Sequence, residues 1–165
     1  MTVYTDLDAD ERRTLLDALH AASVAISAAS PGRKEETASE GFSAAAYILD
    51  SRAAQVANPL VSSIILFLDQ AAHAEGRFPD YQQLVVAPDA GRRSLEQLRA
   101  AAALVDAQAT AEEAAGYKRW LLEIATVTAN AGKEDQGFLG RGGVYVNDAE
   151  RAALAQVAEA LGIAG

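Results

Sequence analysis

Apolar residues recur along most of this chain at intervals of three and four. That spacing gathers them on one side of a helix, and the strict alternation of a half-buried strand is rare. Over Asp10–Ala29 the stripe is Leu15, Leu19, Ala22 and Ile26, led in by Asp6, Asp8, Asp10 and Glu11. Acidic residues belong at that end, where unpaired amides favour negative charge. Ser30-Pro31 then offers a cap and a first-turn proline, with Glu35 and Glu36 behind them and a second stripe of Phe42, Ala45, Leu49, Ala53 and Val56 predicted to face inward. Gly41 is the one weak helix former within it. Asn58-Pro59 repeats the start signal, and Leu60 to Leu68 is apolar nearly all round, which predicts a central helix surrounded by others.

The pattern breaks between Gly76 and Pro88, where Leu84 to Val86 fits either a short strand or another helical turn. Helical spacing returns over Asp89–Ala107 with Leu95, Leu98, Ala102 and Val105. Thr110 and Glu113 form a capping box that opens a helix with Tyr117, Trp120, Leu121, Ile124 and Val127 inward and Gly132 as its stop. Asn147 and Glu150 form another, ahead of Leu154, Val157, Ala158, Leu161 and the terminator Gly162. Between these two helices lies GKEDQGFLGRGGVYV. It has no lysine and hydroxyl after its last glycine, no helix directly after a strand, and no run of alternating acids, so phosphate-loop, dinucleotide and calcium-loop readings all fail. Its glycines fit tight turns while Phe138, Leu139, Val144 and Val146 pin it to the core. The expectation is an all-α fold: one domain over residues 1–165, a bundle of about six helices with a Gly-rich structured connector before the last.

Composition narrows the partners. With 23 acidic against 14 basic side chains the formal charge is −9, which opposes a phosphate backbone, so no nucleic acid is expected. Arg92, Arg93 and Arg99 lack interleaved aromatics and read as a solvated helical face. There is no cysteine, which removes disulfides, thiolate metal sites and thiol nucleophiles, and fits a reducing compartment. The first residues show no basic and apolar leader, and the longest apolar run, Asn58 to Asp69, is broken by Ser62 and Ser63 and too short for a bilayer. A cytoplasmic protein with no membrane partner is the expectation.

Candidate chemistry is sparse. Asp17 precedes His20 by three positions and Asp69 precedes His73 by four, so each pair shares a helical face and the four together could hold a metal. Carboxylate-bridged metal bundles use Glu-x-x-His and inward glutamates, which are absent, and helix-surface histidines are the simpler reading. No Gly-x-Ser-x-Gly elbow nominates a nucleophile. Arg33, Lys34, Glu35, Glu36 and Glu40 read as solvated surface, and Tyr117 and Trp120 as core rather than ligand platform.

The stretch ANAGKEDQGFLGRGGVYVNDAERAALAQVAEALGI resembles the end of TerB-like (tellurite-resistance-type) helical domains. There a helix ending in small residues leads through a Gly-containing turn and a short apolar step to an acid-started helix. Gly143, Val146, Asn147 and Glu150 match that turn and start, while Gly142-Gly143 stands where the family has an acidic Asp-Gly turn. The resemblance implies helical architecture and a stress-associated setting. The functional expectation is a non-catalytic protein, without cofactors, acting on an unknown protein partner or as a homo-oligomer. The alternative is a helical bundle that binds a metal or a small ligand.

Overall fold

The computed structural model describes residues 2–30, 34–50, 57–75, 81–131 and 146–163, with side chains for all of these except 34–36 and 72–75. A 3-10 turn over Tyr4–Asp6 precedes α1 (Ala9–Ala29), α2 (Lys34–Asp50), α3 (Pro59–Glu75), α4 (Tyr81–Val86), α5 (Ala90–Gln108), α6 (Ala111–Ala131) and α7 (Asp148–Ala160). Among the described residues there is no strand, so the fold is an all-α bundle. Leu84–Val86, which the sequence leaves between strand and helix, is the last turn of α4. Phe138, Leu139, Val144, the glycines of the connector and the Gly132 stop lie outside the described residues; Val146, at the connector's end, packs half-buried against the core.

Helix starts follow local chemistry. Asp8 caps α1 by accepting from the backbone amides of Asp10 and Glu11 at 2.9 and 2.8 Å, while the Glu11 carboxylate accepts from the Asp8 amide at 2.9 Å. Both boxes expected from sequence are present: Thr110 with Glu113, and Asn147 with Glu150. At the other end of α7, Gly162 turns left-handed at φ 67°, and the Ile163 amide reaches back to the Ala158 carbonyl at 2.9 Å.

Helices α1, α5, α6 and α7 each pack on the other three. At their centre is α1, whose every position from Ala21 to Ser27 is buried; small side chains there let the neighbours approach from all sides. The stripes expected on α1, α5, α6 and α7 point inward, with Leu15, Leu98, Trp120, Leu121, Ile124 and Val157 fully enclosed. Trp120 meets Tyr117 edge-on at 6.2 Å, and the Tyr117 hydroxyl donates to the Leu15 carbonyl at 2.8 Å, tying α6 to α1. These two aromatics are core, as expected.

The remaining helices lie outside this set: α2 and α3 rest on α6, and α4 on α1. Two expectations are corrected there. The central helix is α1, not α3: Leu60, Val61, Ile64 and Ile65 are buried, but Leu66 is 58% and Phe67 39% exposed. An all-round apolar helix can be one with an uncovered face. On α2, the predicted inward stripe points outward, with Phe42 77% exposed and Leu49 exposed as well. The buried side is Thr37, Glu40, Ala44 and Ile48 instead. Ala53 and Val56, the rest of that stripe, lie outside the described residues. Among the described residues no helix is long and apolar enough to cross a membrane.

Candidate functional site

The helix that departs most from its sequence reading is α2, and its two faces differ in kind. Against the bundle it presents a polar seam. Ser27 of α1 donates its hydroxyl to Oε2 of Glu40, and the Ser27 and Tyr81 hydroxyls lie 2.9 Å apart. Glu40, read from sequence as solvated surface, is therefore buried, with the Ser27 hydroxyl of α1 as a partner and that hydroxyl in turn bonded to Tyr81 of α4. Tyr81 is pushed up to about 12, chiefly by burial, against the opposing pull of hydrogen bonds to Ser23 and Ser27. Its phenol is thus protonated at neutral pH and acts as a hydrogen-bonding strut between α4 and α1. Gly41 makes room for the ring: a Cβ there would stand 2.6 Å from Tyr81 Cδ1. Every enclosed side-chain nitrogen and oxygen among the described residues has a partner. The seam sets where α2 sits.

Away from the bundle, α2 presents Ala38, Phe42, Ala45 and Leu49, roughly 120° around the helix from the buried face at 100° per residue. Exposed large apolar side chains are not scattered over the described residues. Among the described residues they are Phe42 and Leu49 on α2, Leu66 and Phe67 on α3, and Leu84 and Val86 on α4. Helices α1, α5, α6 and α7 have none, and α2 touches both α3 and α4.

The metal reading can be placed only in part. Asp17 and His20 share one side of α1; burial pushes the His20 imidazole below its ordinary value more than the Asp17 carboxylate raises it. Asp69 is half-buried on α3, and the His73 side chain lies outside the described ones. Among the described residues no three of His, Asp and Glu gather as a metal set. A shallow groove of about 360 Å³ runs beside α1, lined by Tyr4, Ala9, Arg12, Arg13, Leu16 and Asp17, with the Arg12 guanidinium 5.9 Å above the Tyr4 ring. Its charges are of both signs. Arg92 bridges Asp89 at 3.1 Å and Glu96 at 2.7 Å in full contact with solvent, as a solvated face should.

Sequence reasoning missed the seam and the outward apolar face together. The available signal was the pair Ser23 and Ser27, four apart on an otherwise apolar stretch of α1, which asks for a polar partner from another helix. No protein-family model, curated protein or solved structure matches this chain.

Proposed function

We propose that this protein works by association, meeting other protein through the outer faces of α2, α3 and α4 and performing no catalysis of its own. One observation carries the reading: among the described residues, the large apolar side chains left in water are confined to three consecutive helices, of which α2 touches both α3 and α4. Single exposed apolar residues are common and mean little, whereas their segregation to one part of a molecule marks an interaction surface. Phe42 and Val86, at 77% and 79% exposure, have almost nothing to lose from the fold if replaced and much to gain from a partner.

The test is the combined variant Phe42→Ser/Leu66→Ser/Val86→Ser beside the wild type. Unchanged thermal unfolding together with lost or weakened assembly in sedimentation is expected. Equal assembly by both proteins, or a specific turnover found in a broad activity screen of the purified chain, would overturn the proposal.

A further inference from the structure

Resting on that association reading, we infer that the partner of α2 is a second copy of this chain, with the two α2 helices packed antiparallel along Ala38, Phe42, Ala45 and Leu49. These residues follow one another at steps of four, three and four, the spacing of a seam that receives another helix. Their sizes alternate small, large, small, large. In an antiparallel pair related by a two-fold axis between positions 43 and 44, Phe42 of one copy faces Ala45 of the other, and Leu49 faces Ala38. Each large side chain then meets a small one, twice over, so one surface is its own complement. In a parallel pair Phe42 faces Phe42 and Ala45 faces Ala45, leaving a crowded layer next to an empty one.

Charge does not oppose the same occupant. From Thr37 to Leu49 the one carboxylate of α2 is Glu40, which is turned inward to Ser27, and the positions flanking the seam include Ser39, Gly41 and Ala46. Glu35, Glu36 and Asp50 lie beyond the ends of the seam, so between Ala38 and Leu49 a second α2 meets no carboxylate but the inward Glu40 despite the net −9. Area sets the strength. The seam is about 16 Å long at 1.5 Å per residue, and its four side chains cover well under the roughly 800 Å² per partner of a stable complex. The dimer is therefore reversible, and its population follows concentration.

Sedimentation equilibrium of the full chain from about 1 μM to about 1 mM is the first test. A monomer–dimer equilibrium is expected, with Phe42→Glu and Ala45→Glu each raising the dissociation constant at least about tenfold while helicity by circular dichroism is unchanged. Because the chain has no cysteine, Ala38→Cys and Leu49→Cys each introduce a unique thiol. Mixed and treated with a short bismaleimide, the two variants should cross-link to each other, and Ala38→Cys alone should not. Efficient cross-linking of Ala38→Cys to itself would replace the antiparallel pair by a parallel one and overturn the inference. A monomer at every concentration would also overturn it, as would a dimer indifferent to Phe42→Glu and Ala45→Glu. If assembly is instead lost with Leu66→Ser or Val86→Ser alone, association stands and the α2 pair does not.

Discussion

Asn58 does two jobs from one position, and Gly116 is what permits them. Its Oδ1 accepts from the Val61 amide at 3.2 Å in the first turn of α3, while its Nδ2 donates to the Glu113 carbonyl of α6 at 3.0 Å. A Cβ on Gly116 would stand 2.1 Å from that nitrogen. Gly116→Ala should therefore destabilise by about 1 to 2 kcal/mol, overcrowding outweighing the gain of about 1 kcal/mol in helix propensity. With Asn58→Ala already in place the obstruction is gone and the same change should turn neutral or stabilising; denaturant unfolding of the two single variants and the double reads this sign. Glu113 offers a pH test. Its carboxylate accepts from the Thr110 amide and hydroxyl at 3.0 and 2.9 Å and from the Thr2 amide at 2.9 Å. The Thr110 amide bond leads in holding its pKa below the ordinary 4.5, with the Thr2 bond assisting against burial. A lowered carboxylate pKa stabilises fully above the ordinary value and loses that contribution as pH falls through the folded one. Stability followed from neutrality to below pH 4.5 should drop, and Glu113→Gln should flatten that drop.

At the scale of elements, what was legible in the sequence was what is local. The boxes Thr110–Glu113 and Asn147–Glu150 and the stop at Gly162 each depend on residues within a turn of one another, and all three form. Four stripes read correctly for the same reason, since α1, α5, α6 and α7 each have one predominant apolar side. Helix α2 has two, and periodicity cannot choose between them. The choice is made by Ser27 and Tyr81, which lie 13 positions before and 41 after Glu40 and become its neighbours only in the folded chain. The same distance hid the candidate site, because an uncovered face is a property of what packs where. If α2 is docked through its polar side, Ile48→Ala should cost about 2 to 5 kcal/mol, and Phe42→Ala less than about 0.5 kcal/mol, in urea unfolding. The reverse order would mean that the apolar stripe of Phe42 and Leu49 is the one turned to the core.

For the whole molecule, four helices whose large apolar side chains are covered sit beside three helices that leave large apolar side chains exposed, in a chain of net charge −9. A net charge of −9 opposes self-association, and the stretch of α2 from Thr37 to Leu49, whose one charge is the inward Glu40, adds little to that repulsion. Backbone amide chemical shifts followed from about 10 μM to about 1 mM test most directly whether protein meets protein at these helices. Shifts should move at Ala38, Phe42, Ala45 and Leu49, spread to neighbouring positions on α3 and α4, and stay fixed along α5 and α7. Concentration-dependent shifts centred on α5 or α7, or none on α2 at the highest concentration, would contradict the proposed association surface.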